Sequence, residues 1–518
     1  MNQVFQNVGG ARIGRSLFNL SYDKKLTCDM GELVPVLCDE MVPGDIFQIG
    51  AQAILRFQPL VAPILHEVNL YVHYFFVPYR LLWTSWEDFI TGGADGTLVP
   101  TLPRWTPTAP EYAKKSLWDY LGLPTGFVPT GALPLIFPKY AYQFVWNEFF
   151  RDESLQAKVT LGDAVPTLYK RAWEKDYFAS ALLWQQRGTA PAIPITGIGS
   201  AVFGANVPVT GNLVWPAVTT NSPTAANFDG VGEAPSDALT KNGLQRGVVS
   251  GGLALKAGVH GLDDNVVTIA ASPPISIADM RLGFQVQRFL ERNARAGARY
   301  TEFLRAHFAV SPRDDRLQRP EYIGGMKAPV IFSEVLQTSQ TGTTPQGNMA
   351  GHGISVDQQY VAKYRAQEFG LILGLMSIMP RPVYQQGINR QWLRTTRYDF
   401  YFPEFAHLSE QAIKRCEIFA TSVANDNAIT FGFCGAYDEM RVKQSMICGD
   451  FRDTYDYWHL SRQFASAPLL NASFIECVPR KDCMAAPSEP ACLVSFGNII
   501  KALRPMPIIA EPGLIDHG

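Results

Sequence analysis

Five arginines with helical spacing are the clearest candidates for binding a charged partner. The segment 277–297 has an amphipathic helical pattern, and Ser276 and Asp279 at its start have the spacing of a capping box. The arginines are separated by 7, 4, 3 and 4 residues and are Arg281, Arg288, Arg292, Arg295 and Arg299. At about 100° per residue they lie within one stripe roughly 60° wide.

Two interpretations of this stripe stay open. Arginine neutralises phosphate, so the five side chains are candidates for facing a nucleic acid. An arginine face on a helix more often pairs with carboxylates of a neighbouring subunit. Glu291 and Glu302 are also close enough in the sequence to pair with the stripe.

Arginines alternate with aromatic residues between residues 389 and 402. The arginines are Arg390, Arg394 and Arg397, and the aromatic residues among them are Trp392, Tyr398, Phe400 and Tyr401. The mixture suits unpaired nucleic-acid strands, because aromatic rings stack on bases while arginines neutralise phosphates. Segments of this composition also build protein interfaces, so both uses stay open.

Motifs that would indicate catalysis are missing from the sequence. It has no GxxxxGK[ST] phosphate loop and no HExxH zinc motif, and the GIG at 197–199 lacks the third glycine of a dinucleotide fingerprint. The GFCG at 432–435 is not a nucleophile elbow, and a buried thiol is the better interpretation. Asp453, Asp456 and His459 form a weak metal pattern in an aromatic-rich run, where packing is the more common role. We therefore predict a protein that is not an enzyme and has neither cofactor nor metal.

Size and composition favour a β-rich chain with much surface that does not face water. The 518 residues exceed the roughly 250–300 at which a single core stops growing, so we expect long insertions or a second domain. Charged residues make up 18%, below the usual share of about 25%. The 43 glycines and 36 prolines suit many short strands joined by turns. The formal net charge of −2 gives no global basic field, so a nucleic acid would need a local basic patch.

The sequence indicates neither secretion nor a membrane anchor. The first ten residues lack the basic start and apolar run of a signal peptide. The longest apolar run, from Phe369 to Met379, is too short to span a bilayer and predicts a buried strand. The eight cysteines form no CxxC pair, so we expect reduced, mostly buried thiols.

Hydrophobic periodicity predicts several elements. Residues 47–57 alternate between apolar and polar positions, which indicates a half-buried strand, and residues 68–77 read as a strand buried on both faces. Short helices are predicted over residues 82–90 and 141–150, and a further one near 409–420.

Residues 196–272 differ from the rest of the chain. These 77 positions hold twelve of the 43 glycines and only eight charged residues. We interpret them as an insertion of loops and small strands outside the main core. A disordered linker is the alternative, although the segment keeps apolar residues such as Trp215.

Several stretches resemble the major capsid proteins of the Microviridae, specifically those of gokushovirus-like phages. They keep the family's order from end to end: FNLS (18–21), LVPVLCDEMVPGDIF (33–47), NLYVHYFFVPYRLLWTSWEDFITGG (69–93), YQFVWNEFFRDESLQ (142–156), FQVQRFLERNARAGARYTEFLRAHF (284–308), RLQRPEYIGG (316–325), YQQGINRQWLRTTRYDFYFP (384–403) and PGLIDH (512–517). Together these stretches are highly specific.

The resemblance implies an eight-stranded antiparallel viral jelly roll with long inserted loops, formed by residues 1–518 as one capsid domain. Sixty copies would form a T=1 shell around the circular single-stranded DNA of a bacteriophage. The implied partners are a scaffolding protein, a small basic DNA-binding peptide and a receptor on the bacterial host. The protein would belong to the virion and assemble in the host cytoplasm. Segment 196–272 lies where gokushoviruses carry an insertion that forms surface protrusions, so the resemblance implies a role in host attachment.

Two other classes are compatible with a β-rich chain. A jelly-roll carbohydrate-binding protein shares the architecture but needs no further 300 residues of loops and helices. A jelly-roll enzyme of the cupin type needs clustered histidine and carboxylate ligands, which the sequence does not present.

Overall fold

The computed structural model describes residues 14–191, 277–297, 299–336 and 349–509, together with two short strands at 244–246 and 253–255. Backbone contacts divide the chain into two compact units. The first consists of residues 1–189 with 289–518, and the second of residues 190–288.

The described residues are mainly β, as the sequence predicts. The strands are β1 (Ser16–Asn19), β2 (Tyr22–Cys28), β3 (Val34–Met41), β4 (Ile46–Phe57), β5 (Val68–Pro78), β6 (Leu244–Arg246), β7 (Leu253–Leu255), β8 (Glu321–Pro329), β9 (Ile331–Leu336), β10 (Met349–Arg365), β11 (Gly370–Pro380), β12 (Glu410–Lys414), β13 (Thr430–Gly435) and β14 (Cys492–Arg504). The α-helices are α1 (Tyr79–Leu82), α2 (Trp86–Thr91), α3 (Leu117–Tyr120), α4 (Phe137–Val145), α5 (Ile277–Ala296), α6 (Tyr300–Phe308), α7 (Ala424–Ala428), α8 (Asp438–Arg441) and α9 (Ala472–Ile475). A π-helical turn, Trp146–Phe150, continues α4.

Two antiparallel sheets carry the first unit. One has the order β1–β14–β4–β10–β9, with β2 also paired to β14, and the other has the order β3–β11–β5–β8. Four of the pairings are nested along the chain: β2 with β14, β3 with β11, β4 with β10, and β5 with β8. Apart from the step between β5 and β8, consecutive members of these pairs lie in different sheets.

The main hydrophobic core lies between these two sheets. In β4, Phe47, Ile49 and Leu55 are fully buried, while Gln48 and Ile54 on the other face are exposed. This alternation confirms the predicted half-buried strand. The amide of Asn498 on β14 donates to the carbonyl oxygen of Val36 on β3 at 3.0 Å, so the two sheets are also joined by a buried hydrogen bond.

Strands β5 and β11 lie side by side in the centre of the four-stranded sheet. Every residue of β11 is buried, and nearly all residues of β5 are buried as well. The apolar run at 369–379 is therefore the predicted buried strand. Six of the eight cysteines are buried and all eight are free thiols, which confirms the prediction for the cysteines.

A buried ion pair fixes the loop between α2 and α4. Nζ of Lys139 lies 2.8 Å from Oε1 of Glu111, and both side chains are at most 3% exposed. The Glu111 carboxylate also accepts hydrogen bonds from the backbone N–H groups of Thr108 and Val165. Burial by itself would raise the pKa of Glu111, but the hydrogen bond from Lys139 and these two backbone hydrogen bonds together lower it. The ion pair thus ties the loop that precedes α3 to α4.

The short-helix predictions have different outcomes. The helix expected at 141–150 is present as α4 and its π-helical turn. The one expected at 82–90 is split into α1 and α2, because Trp83 adopts an extended backbone with φ −146° and ψ 118°. The second of these helices ends at Gly92, whose φ of +80° favours glycine.

The prediction of a helix near 409–420 is wrong. Residues 410–414 form β12, which pairs with β13, and only a 3₁₀ turn follows at 415–417. Ile413 is fully buried opposite Gly432, a partner about twenty residues away in the chain. The apolar pattern of so short a segment fits either element, and the long-range pairing decides between them.

The segment 196–272 lies outside the described residues except for β6 and β7. These two strands form an antiparallel hairpin in which Leu244 is opposite Leu255 and Arg246 is opposite Leu253.

Candidate nucleic-acid and subunit interfaces

The predicted arginine stripe is shorter than the spacing suggests. Arg281, Arg288, Arg292 and Arg295 lie on α5, but the helix ends at Ala296. Gly297 follows with φ +98°, a left-handed conformation that ends helices. Arg299 therefore lies beyond the stripe and precedes α6 as its N-cap residue.

Two of the five arginines are held by carboxylates of the same chain. Nε of Arg299 is 3.2 Å from Glu153, and its Nη1 is 3.3 Å from Glu302. Nη2 of Arg299 also donates to the carbonyl oxygen of Arg151 at 2.7 Å. Arg295 forms an ion pair with Glu410, whose side chain is fully buried. These two side chains stabilise the fold, and the pairing interpretation holds for them within one chain.

The other arginines of α5 remain accessible. Arg281, Arg288 and Arg292 are exposed, and in the described part of the chain none of them forms an ion pair with a carboxylate. They keep the candidate role of facing a nucleic acid or another subunit.

The arginines of the segment 389–402, here called the aromatic loop, are also engaged. Nη1 of Arg390 donates to the carbonyl oxygen of Ala412 at 2.6 Å and to Oε1 of Glu417 at 3.0 Å. Burial raises the pKa of Glu417 even though Arg390 opposes this shift. Arg394 lies 3.8 Å from a carboxylate oxygen of Glu439.

Arg394 and Arg397 also stack on rings of the aromatic loop. The guanidinium of Arg394 is 4.9 Å from the centre of the Phe400 ring, and that of Arg397 is 4.8 Å from the Tyr398 ring. Each arginine covers an aromatic face that a nucleic-acid base would otherwise use. Arg397 is the most accessible of the three.

The aromatic loop nevertheless presents a large apolar surface. Trp392 is 74% exposed, and four aromatic residues follow it on the surface. These are Tyr398, Phe400, Tyr401 and Phe402. The carboxylate of Asp399 accepts backbone hydrogen bonds from Thr395 and Thr396, which lower its pKa to about 2. A charged Asp399 therefore holds this part of the loop in one shape.

A second basic surface, not predicted from the sequence, lies on the six-stranded sheet. Its outer face is the side turned away from the core, and cross-strand neighbours on that side include Lys25, Ser495, Ile54 and Val356 in one row. Val356 is 63% exposed and Tyr360 is 69% exposed. The described charged residues of this face are Asp23, Lys25, Arg56, Lys363, Arg365 and Lys501. Five cations thus accompany one carboxylate.

The signal for this face was present in the alternation of β4. The even-numbered residues of β4 face away from the core, but their neighbours on β10 and β14 come from distant parts of the sequence, and β2 joins the face only through β14. Only the cross-strand registers bring the cations together.

A cleft of about 620 Å³ opens at one corner of this face. Among the described residues that line it are four cations and one acid. They are Lys24, Lys25, Arg56, Lys115 and Asp119.

A larger cleft of about 950 Å³ has compensated charges. Among its lining residues, Arg319 pairs with Asp314 at 2.6 Å and Lys175 pairs with Asp152 at 3.2 Å. Arg299, described above, also lines this cleft. It therefore offers no strong field to an ion of either sign.

The motifs considered for catalysis or metal binding have structural roles. Nε2 of His459 bonds to the carbonyl oxygen of Phe451 at 2.6 Å, and its Nδ1 accepts from the backbone N–H of Ser461 at 3.2 Å. Asp456 pairs with Arg480 at 2.9 Å. Burial raises the pKa of the Cys434 thiol to about 11, so it stays protonated at neutral pH. In the described residues no group of three potential ligands could hold a metal ion, and no helix is long and apolar enough to cross a membrane.

Comparisons with known proteins give matches over nearly the whole chain. The chain matches the model of the family "Capsid protein (F protein)" over residues 6–514. It is 34% identical to capsid protein VP1 of Chlamydia phage 1, with 99% of this chain and 98% of that protein covered. It is 32% identical to capsid protein VP1 of Bdellovibrio phage phiMH2K, with 98% and 97% covered. For capsid protein VP1 of Spiroplasma virus 4 the identity is 28%, with 98% and 97% covered.

These matches cover nearly the whole chain and confirm the resemblance to Microviridae capsid proteins. A capsid protein is a component of the virion, acts as a multi-copy building block and has a structural role, in agreement with the missing catalytic motifs. The chain belongs to the phage capsid protein (F protein) family.

Proposed function

We propose that this capsid protein is the major shell subunit of a small phage, and that sixty copies form a T=1 icosahedral shell around circular single-stranded DNA. The observation that carries the proposal is the nesting of four antiparallel pairs along the chain across two sheets. Such nesting is typical of an eight-stranded jelly roll, the architecture of many viral capsid domains. In this interpretation β1 and β9 extend the edges of one sheet.

The exposed apolar surface supports assembly into a shell. The aromatic loop exposes five large rings, and the outer sheet face exposes Val356 and Tyr360. Contiguous apolar patches of this kind mark protein interaction sites. Because Arg390 and Arg394 are held within their own chain, the aromatic loop suits a contact with another subunit better than a contact with phosphates.

Shell formation is the direct test of the function. We expect full-length protein, expressed with its scaffolding partner, to sediment as a large assembly and to show uniform small shells by negative-stain microscopy. Obligate assemblies bury roughly 2,000–5,000 Å² at each interface, so a folded monomer should not persist as the end product. Monodisperse monomers under these conditions would overturn the proposal.

Residues 196–272 are proposed as the surface insertion that attaches to the host. The low charge and high glycine content of the segment, together with the family resemblance, support this role. Replacing it by a short Gly/Ser linker should leave shell assembly possible and reduce adsorption to the host. Misfolded subunits and the loss of all particles would show instead that the core depends on the segment.

A further inference from the structure

We propose that the 620 Å³ cleft at the corner of the outer sheet face binds the phosphodiester backbone of single-stranded DNA through Lys25, Arg56 and Lys115. This inference rests on the proposed enclosure of DNA by the shell. The site lies in a part of the chain that contains neither the arginines of α5 nor the aromatic loop.

The sheet registers place two of these cations around the same strand. Thr27, Leu493 and Arg56 form one cross-strand row, and Lys25, Ser495 and Ile54 form the next. Lys25 and Arg56 are therefore two strands apart, with β14 between them. At about 4.8 Å between neighbouring strands, their backbones are about 10 Å apart across the sheet. A chain of phosphates can cross β14 between the two side chains.

Lys115 closes the cleft from a separate turn. Its φ is +68°, a conformation that is uncommon for a residue with a side chain. The turn is held because the backbone N–H of Lys115 donates to the Asp119 carboxylate at 2.8 Å, and the backbone N–H of Asp119 donates to the Ser116 hydroxyl at 3.3 Å. The Lys139–Glu111 pair anchors the preceding segment. Lys115 is thus positioned at the cleft by local structure.

The three cations have no partner within the described part of the chain. The side chains of Lys25, Arg56 and Lys115 are exposed, and none forms an ion pair or a hydrogen bond with another described residue. Asp119 is the acid that lines the cleft, and its carboxylate already accepts the bond from the Lys115 backbone. This excess of positive charge contrasts with the net charge of −2 for the whole chain. It matches a polyanion better than a second copy of the chain.

Lys24 adds charge at the wall of the cleft. Its ammonium donates to the carbonyl oxygens of Pro35 and Tyr120. Burial lowers the pKa of Lys24 to about 8, so the Lys24 amine is still mostly protonated at pH 7.

The outer face also offers surface for the bases. Ile54 and Leu493 form an apolar patch beside the cleft, and Thr27 and Ser495 supply hydroxyl groups. Farther along the face, Tyr360 is exposed and can stack on an unpaired base. Apolar and aromatic surface beside a basic groove favours single strands over duplex DNA, whose bases are already stacked and paired.

Salt dependence of DNA binding tests the site. Full-length subunits kept below the assembly concentration are titrated into a fluorescently labelled (dT)20 oligonucleotide at several salt concentrations. The variant carries Lys25→Gln, Arg56→Gln and Lys115→Gln. Each lost phosphate contact should lower the log–log salt slope by about 0.7, so we expect a decrease of about 2. Between 50 and 200 mM salt, the variant should lose about 20-fold less affinity than the wild type.

A charge-matched control carries Lys114→Gln, Lys158→Gln and Lys443→Gln, which remove three exposed cations that do not line the cleft. Its slope should stay close to that of the wild type, and Arg56→Lys alone should keep the full slope because it keeps the charge. An unchanged slope in the cleft variant, or an equal decrease in the control, would overturn the proposal.

Shell assembly of the same variants separates this site from the proposed function. We expect the cleft variant to form shells, visible by negative-stain microscopy. These shells should retain less DNA than wild-type shells. Loss of shells with an unchanged slope would assign the face to a contact between copies of the chain and would overturn DNA binding there. Failure of the wild type to form shells would instead contradict the proposed function, whatever the slope.

Discussion

The aromatic loop and the outer sheet face both combine arginine or lysine with aromatic and aliphatic residues, but they use their cations differently. In the aromatic loop, Arg390 and Arg394 meet Glu417 and Glu439, which come from later parts of the chain. On the outer face, Lys25 and Arg56 meet no described carboxylate. A cation that is already paired contributes to folding, whereas an unpaired cation at the surface can bind a polyanion. The comparison shows that local composition is a poor guide to which role a cation has.

The largest expected difference is between two arginines of the aromatic loop. Arg390→Ala should lower the free energy of unfolding by about 3 kcal/mol, because it leaves the buried Glu417 carboxylate without its cation. Arg397→Ala should change it by less than about 0.5 kcal/mol, since the Tyr398 side chain on which its guanidinium stacks, and to whose hydroxyl it donates, is exposed at the surface. Chemical denaturation of unassembled subunits measures both. Equal losses of stability would mean that pairing with Glu417 does not distinguish the two arginines.

The difference between paired and unpaired arginines can also be tested on α5. Arg288→Gln combined with Arg292→Gln should lower the salt slope of (dT)20 binding by about 1.4, if these exposed arginines face DNA as the stripe predicts. Arg295→Gln on the same helix should leave the slope unchanged, because its guanidinium is paired with Glu410. A decrease for Arg295→Gln as large as for one exposed arginine would show that pairing does not remove a cation from DNA binding.

The smallest expected effect concerns pH and the shape of the aromatic loop. The pKa of Asp399 is lowered to about 2 in the folded chain, from an ordinary value of 3.8. Its contribution to local order is therefore complete above pH 3.8 and is lost as the pH falls towards 2. Because this carboxylate is exposed, the contribution is below about 1 kcal/mol.

Hydrogen exchange of the Thr395 and Thr396 amides measures this contribution. Asp399→Asn should accelerate their exchange at pH 6, while the amides of the nearby β12 serve as an internal control. Unchanged exchange in the variant would show that the Asp399 hydrogen bonds do not fix the loop.

The sequence determined those elements whose signal is local. The alternation in residues 47–57 predicted β4 and its buried face, and the apolar run at 369–379 predicted β11. The amphipathic pattern of residues 277–297 predicted α5, which ends just before the glycine at 297, while the predicted cap at Ser276 lies outside the described residues. Side-chain periodicity repeats every 2 or 3.6 residues, so a window of about ten residues contains the information.

The tertiary structure alone decided which cations are free. The arginines at 295, 390 and 394 find their carboxylates 115, 27 and 45 positions further along the chain. The cleft requires β2 and β4, near the start of the chain, to pair with β14 near its end. A different pairing, between β12 and β13, made the expected helix at 409–420 a strand. Periodicity contains no information about such partners, because strand pairing and ion pairing depend on which distant segments the fold brings together.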